Sequence, residues 1–308
     1  MKLTRRDAIK AGAGASAAAA LGWRTGTAQT SELVSKTIPR TAEVLPVIGL
    51  GARNYRVGPS AEERAPYKAT LARFAQMGGM VVDSAPSYGN SESVVGDLVA
   101  ELGIRDQLFI ASKVDRTGRE EGIEGIESSF EYLRVDTMDL MQVHNLIDLD
   151  TQLRTLYAMK DEGRIRYVGV TIWRPEERAP LIEVLERERE SLDFIQVDYA
   201  LNNRGVADGV LPTAMDYGLA VLVNMPLARG SLFAAVGDRP LPDWAADIDC
   251  HTWAQVFLKY VVSHPAITCA IPGTTKEHHA VDNLGAAMGR MPDAAMRRML
   301  ESYIDDLT

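Results

Sequence analysis

Val81-Val82-Asp83-Ser84-Ala85-Pro86-Ser87-Tyr88-Gly89-Asn90-Ser91-Glu92 passes from one kind of local structure to another. The short apolar run from Met80 to Val82 has the composition of a buried strand, and Ser91-Glu92 stands ahead of a helical pattern. A loop carrying Tyr88 lies between them. A strand that ends in Asp83 and hands over to such a loop is how α/β proteins present side chains at the carboxyl ends of their strands, where these folds keep their chemistry.

On both sides of this stretch, short apolar runs alternate with longer amphipathic ones. Strands are expected over residues 47–50, 80–82, 108–112, 138–143, 167–170, 194–197, 220–223 and 267–271, with helices over 67–77, 91–102, 122–133, 152–162, 175–189, 206–217, 253–264 and 276–288. Strand–helix units in this order predict a parallel (β/α)8 TIM barrel with an outer ring of helices. A doubly wound open sheet is disfavoured because no G-x-G-x-x-G opens the first helix. A last helix over 294–304 is expected to pack across the outside.

Residues 1–28 read as a twin-arginine signal peptide, and residues 29–308 as the barrel domain. Thr4-Arg5-Arg6-Asp7-Ala8-Ile9-Lys10 is a basic start, a small-residue apolar run follows from Ala11 to Gly22, and Gly26-Thr27-Ala28 is an acceptable small-x-small cleavage site. The run is too short and too rich in Ala and Gly to span a bilayer, so no stable membrane insertion is expected. The twin-arginine export machinery is the expected partner and the periplasm, or another exported location, the destination. Removing those residues takes away five basic groups and one acid, moving the formal charge from −9 to −13. Such an acidic chain argues against nucleic acid as a partner. Only Cys250 and Cys269 are present, which provides neither a disulfide framework nor metal-ligand spacing. A single bridge between them stays open in an oxidising compartment, but they read first as ordinary buried or semi-buried thiols, and no metal is expected.

The barrel makes a specific claim about ionisable residues. Asp83 ends the second strand, Lys113 the third and His144 the fourth, so three successive strands aim a carboxylate, an ammonium and an imidazole at one mouth. The pattern D-x-A-x-x-Y-G-x-S-E, running from Asp83 through Tyr88 to Glu92, resembles the signature of the aldo-keto reductases, and the resemblance extends over about residues 49–283. It implies a catalytic tetrad of Asp83, Tyr88, Lys113 and His144, and an NAD(P)H-dependent oxidoreductase that interconverts a carbonyl and its alcohol.

The chemistry explains those residue types. Hydride delivery to a carbonyl carbon builds negative charge on the oxygen, which needs a proton donor and oriented dipoles. Tyr88 is the expected general acid/base. A free phenol near pKa 10 is a reluctant acid at neutral pH, so the Lys113 cation is needed to stabilise the phenolate, with Asp83 pinning the ammonium and His144 orienting the carbonyl.

The resemblance also implies cofactor contacts. Gly51 and Ala52 end the first strand where small residues let backbone approach the nicotinamide ribose. Asp83 is counted with them, and Gln196 matches the glutamine that holds the nicotinamide carboxamide. Thr171 stands alone where the family usually has Ser-Asn, and Asn224 replaces the aromatic that stacks on the ring, leaving Met225 or Trp173 to cover it. Met225, Pro226, Leu227 and Gly230 form the loop after the seventh strand. Thr274, Thr275, Lys276, His279, Asp282 and Asn283 resemble the adenosine-phosphate segment at a helix N-terminus, a natural anion site. The family's cation at Gly273 and arginine at His279 are absent, but the Thr274 and Thr275 hydroxyls and Lys276 suit a 2′-phosphate, so NADP(H) is expected over NAD(H).

Aldehyde, ketone and sugar substrates stay open. Trp173 and Trp244 suggest an apolar wall, while Arg53, Arg229 and Arg239 are candidates to receive a carboxylate or are surface charge. The alternative reading is a nicotinamide-binding, redox-sensing or partner subunit with little turnover.

Overall fold

The computed structural model describes residues 33–308. The expected twin-arginine segment, residues 1–28, lies outside them. Strands β3 (Leu50–Gly51), β4 (Val81–Asp83), β5 (Phe109–Val114), β6 (Met138–His144), β7 (Ile165–Thr171), β8 (Phe194–Asp198), β9 (Ala220–Asn224) and β10 (Cys269–Ala270) lie parallel and side by side in chain order. Parallel bridges from Ile48 to Ala270 and from Gly51 to Gly273 join the last strand to the first. Gly49 N–H donates to the Ala270 carbonyl at 2.8 Å and Ala270 N–H to the Val47 carbonyl at 2.9 Å. The chain is a (β/α)8 barrel. Gly51 is required at this closure, because a Cβ there would lie 2.8 Å from the Ile271 carbonyl oxygen.

Period-two alternation sorts the strand residues into two cores. Val82, Ile110, Met141, Val168, Ile195 and Val221 face outward and pack against the helices. Val81, Phe109, Leu140, Tyr167, Phe194 and Leu222 face inward and fill the barrel. Phe109, Tyr167 and Phe194 contact one another with ring centroids 5.4–5.9 Å apart. The interior is a packed core and not a pore.

The ring of helices comprises α1 (Ala61–Gln76), α2 (Ser91–Leu102), α3 (Arg119–Leu133), α4 (Leu149–Asp161), α5 (Arg178–Arg187), α6 (Val210–Asp216), α8 (Trp253–Val262) and α9 (Glu277–Gly285), while the short α7 (Ser231–Val236) belongs to the loop after β9. The last helix, α10 (Ala294–Asp305), brings Tyr303 against Trp244 and Trp253. Two features depart from the sequence reading. Helix α1 starts at Ala61, where the Ser60 hydroxyl accepts from Glu63 N–H, and continues through Pro66. A proline there forfeits only one backbone bond near the start, so the preceding turn survives. An antiparallel hairpin, β1 (Ser35–Thr37) and β2 (Val44–Pro46), precedes the barrel and inserts Ile38 and Leu45 into the interior core. Lys36 fixes it by donating to the Val262, His264 and Ile267 carbonyls, and so caps the C-terminal end of α8.

Candidate active site

Strand parity and register place the functional side chains. Asp83, Lys113, Gln142, His144, Thr171, Gln196 and Asn224 each follow an inward residue by two or four positions, so all turn toward the barrel axis at its carboxyl end. Register aligns Lys113 with Gln142, and His144 with Thr171, itself aligned with Gln196. Beyond Asp83 the chain makes a short 3-10 turn over Pro86–Tyr88, then reverses through Gly89 at φ 66° into α2. That reversal carries Tyr88 over the mouth. Glu92, which closes the sequence motif, is buried away from the mouth, where the Ser112 and Ser129 hydroxyls donate to it and burial raises its carboxyl above the ordinary range.

Lys113 is fully buried, and its ammonium donates to Asp83 Oδ1 at 2.9 Å, Asp83 Oδ2 at 2.7 Å and the Ser84 carbonyl at 2.7 Å. Burial alone would lower its pKa. The charges of Asp83 and Tyr88, with the Asp83 hydrogen bonds, outweigh that effect and raise it. Its Nζ lies 5.4 Å from the centre of the Tyr88 ring. The His144 ring stands at 89° to the Tyr88 ring with centroids 6.4 Å apart. Burial, and then the charge of Lys113, bring its pKa down to about 3, so the imidazole is neutral at physiological pH. Gln196 Nε2 donates to Asp83 Oδ1 at 2.8 Å while its Oε1 accepts from the Thr171 hydroxyl at 3.1 Å, which fixes the orientation of the amide.

Above these groups opens a cavity of about 560 Å³ lined by Gly51, Asp83, Tyr88, His144, Thr171, Gln196, Met225, Pro226, Leu227 and Gly230 among others. The expected residues on its wall therefore come together, with Lys113 buried beneath. Ala52 does not reach it: its N–H donates to the Asp83 carbonyl and its own carbonyl accepts from Ser91. Thr274, Thr275 and Lys276 lead into α9 and His279, Asp282 and Asn283 lie along it, off the wall. There the Thr274 hydroxyl accepts from Lys276 N–H at 3.1 Å. Burial, followed by the charges of His278 and Lys276, lowers the His279 pKa. The Asp282 carboxylate accepts from Thr252 and Gln255, which ties it to the start of α8.

Other expectations are corrected. Trp244 packs against Trp253 and Tyr303 away from the cavity, and of the two roles left open for Arg239 the exposed side chain takes that of surface charge, donating to the Ala235 and Val236 carbonyls. Trp173 does line the cavity, with the Arg174 and Arg229 guanidinium groups each 4.8 Å from its ring centre. Asn54, Arg56, Asn145 and Phe233 also line it, from the loops after the first, fourth and seventh barrel strands, which are the loops expected to shape the pocket. Cys250 and Cys269 are free buried thiols, with burial pushing Cys250 up to about 11.

The residues fit a nicotinamide dinucleotide. Gly51 and Gly273 leave a cradle that side chains would fill, and Asn224, whose Nδ2 donates to the Ile172 carbonyl, keeps a buried Oδ1 with no partner at the cavity wall. Backbone strain is concentrated beside it, with Met225, Ala228 and Arg229 at φ 47–52° in one loop and Asn145, Leu146 and Asp148 at φ 45–55° in another.

Comparison with known proteins agrees with this geometry. The chain is 26% identical over 266 residues to methylglyoxal reductase YeaE of Escherichia coli, covering 84% of this chain and 91% of that one. An aldo-keto reductase of Klebsiella pneumoniae, solved in complex with NADPH, superimposes with a TM-score of 0.74 at 26% identity, covering 89% of this chain and 96% of the other. A second Klebsiella structure, with NADP and acetate, gives 0.72 at 27% identity over 85% and 93% of the two chains. The Aldo/keto reductase family model matches residues 47–304, and the chain belongs to that family of carbonyl–alcohol oxidoreductases.

Proposed function

We propose that this protein is an NADP(H)-dependent reductase of aldehydes, ketones or sugars in which Tyr88 transfers the proton. The observation that carries the proposal is the buried Lys113 cation, pinned by Asp83 and held 5.4 Å from the centre of the Tyr88 ring, at a mouth that His144 also faces. A cation so placed stabilises the negative charge that develops on the Tyr88 oxygen as its proton passes to the substrate. Neutral His144 donates an N–H to the carbonyl oxygen and orients it. Gln196, held by Asp83 and Thr171, offers its remaining amide hydrogen to the nicotinamide carboxamide. When bound, the nicotinamide supplies the hydride.

The NADP(H) preference rests on Thr274, Thr275 and Lys276 at the start of α9 and on the NADP and NADPH complexes of the Klebsiella relatives. Turnover on a panel of aldehydes, ketones, sugars and small dicarbonyls, with cofactor binding measured separately, tests the reading. Binding without turnover across the panel would favour a nicotinamide-binding partner subunit instead. Twin-arginine export belongs to the same proposal and is supported by the order of charged, apolar and small residues over 1–28. Replacing Arg5 and Arg6 together by Lys should hold the folded protein in the cytoplasm, and normal export of that variant would refute the route.

A further inference from the structure

The loop between β3 and α1 carries Arg53 and Arg56, both exposed at the wall of the catalytic cavity. The Arg53 guanidinium carbon lies 6.0 Å from the centre of the Tyr88 ring. The Arg56 stem passes over Gly89, where an added Cβ would sit 3.1 Å from Arg56 Cδ. Two cations thus flank the tyrosine on the side of the first barrel loop. Among the described residues neither has an ion-pair or hydrogen-bond partner for its side chain, whereas Arg64, Arg105, Arg134, Arg166 and Arg178 all pair with carboxylates.

The loop that bears them is built to hold position. Between the two arginines Tyr55 is fully buried, its ring edge-on to Tyr67 with centroids 5.3 Å apart. The Ala52 carbonyl accepts from Tyr55 N–H and from the Ser91 hydroxyl, and the Val57 carbonyl accepts from Asn90 Nδ2 at 2.8 Å. The Tyr88 turn and the arginine loop are therefore tied together at both ends of the arginine pair. Arg229, the third cation at the wall, stacks on Trp173 and donates to Met225 Sδ within the loop assigned above to the cofactor.

We propose that the carbonyl substrate carries a carboxylate, received by Arg53 and Arg56, so that the enzyme acts on short oxo acids or aldehyde acids. This rests on the reductase reading above. An anion at the pair gains charge-assisted hydrogen bonds that water gives less specifically, and it orients the carbonyl toward Tyr88 and His144. The cations also draw an anionic substrate to a protein that is otherwise acidic. A substrate with no charge would leave both guanidinium groups idle.

The test compares glyoxylate, pyruvate and succinic semialdehyde with their methyl esters as substrates with NADPH, using the natural chain, Arg53→Met, Arg56→Met and the double variant. At least one acid should exceed its ester in kcat/KM by about tenfold or more. The double variant should lose at least about tenfold more on that acid than on its ester, and added salt should shrink the preference. Calorimetry with succinate and succinamide, neither of them reducible here, reads the same site without turnover. Succinate should bind more tightly than succinamide in the natural chain and lose that advantage in the double variant. Equal kcat/KM for every acid and ester, equal losses on both, or succinate bound no better than succinamide would each overturn the proposal. Ester turnover without preference for the acid leaves the reductase reading standing. Arginine-dependent succinate binding with no turnover of any substrate upholds the carboxylate site and ends the reductase reading.

Discussion

All three N–H groups of Lys113 have acceptors other than Tyr88: the two Asp83 oxygens at 2.9 and 2.7 Å and the Ser84 carbonyl at 2.7 Å. In the proposed mechanism Lys113 therefore acts on the phenol through its field and not through a proton it shares. Lys113→Met removes that field and leaves Asp83 buried without its cation, so turnover should fall by a factor on the order of 10² and stability by about 3 kcal/mol. Adding Asp83→Asn removes the stranded charge. It should restore much of the stability and none of the turnover. Denaturant midpoints and kcat for the two variants test this, and an unchanged midpoint for Lys113→Met alone would contradict it.

Tyr88→Phe keeps the ring that faces His144 and removes only the hydroxyl. Turnover should drop on the order of 10² or more while the dissociation constant for NADPH stays within about twofold. Single-turnover hydride transfer and cofactor fluorescence separate the two quantities. Near-normal transfer by the variant would remove Tyr88 from the mechanism.

The depressed pKa of His144 sets a pH dependence with a definite sign. Above pH 6.5 the imidazole is neutral in both the folded and unfolded chains and contributes no slope. Between 6.5 and about 3 only the unfolded chain takes up the proton, so stability is lost as pH falls through that window. The contribution is at most about 1.4 kcal/mol per pH unit, and His144→Gln should flatten the curve by up to that amount. The same neutral state predicts that kcat/KM shows no limb from His144 between pH 5 and 8. Identical stability slopes for the natural chain and the variant would show that burial does not govern this imidazole.

Lys276 sits at the N-cap of α9, exposed, with Thr274 folded back on its backbone N–H. Lys276→Ala should weaken NADPH several-fold to about tenfold and leave NADH almost unchanged, as expected for a partly exposed contact to a 2′-phosphate. Equal losses would place Lys276 away from that phosphate. Tighter binding of NADH than NADPH by the natural chain would reverse the cofactor preference.

The barrel and the strand-end cluster were legible because both follow from period. Apolar runs in alternation with amphipathic ones lead to the parallel strands, and Asp83, Lys113 and His144 share the parity of the inward residues Val81, Phe109 and Leu140. What escaped lacks period. The hairpin has strands of three residues each and is held by Lys36 on the Val262, His264 and Ile267 carbonyls at and just beyond the end of α8, contacts with no local signature. Helix α1 starts at Ala61 and not at the expected residue 67, because Ser60 and Glu63 form a cap ahead of Pro66 where the apolar pattern is weak. Trp173 and Trp244 look alike in sequence, and only tertiary packing sends one to the cavity and the other to Tyr303. Arg56 and Phe233 reach the cavity from irregular or short elements whose course the composition does not dictate.

The strands that close the barrel are its first and its last, and the glycines that meet there, Gly51 and Gly273, lie on the cavity wall. During synthesis the ribosome releases Gly51 more than 200 residues before Gly273. A growing chain can collapse around its early strands, but its catalytic mouth has no far wall until the eighth strand docks. Competence therefore arrives only when that last strand is in place. Truncations that stop short of residue 269 should be inert toward the cofactor however much of Asp83, Tyr88, Lys113 and His144 they retain.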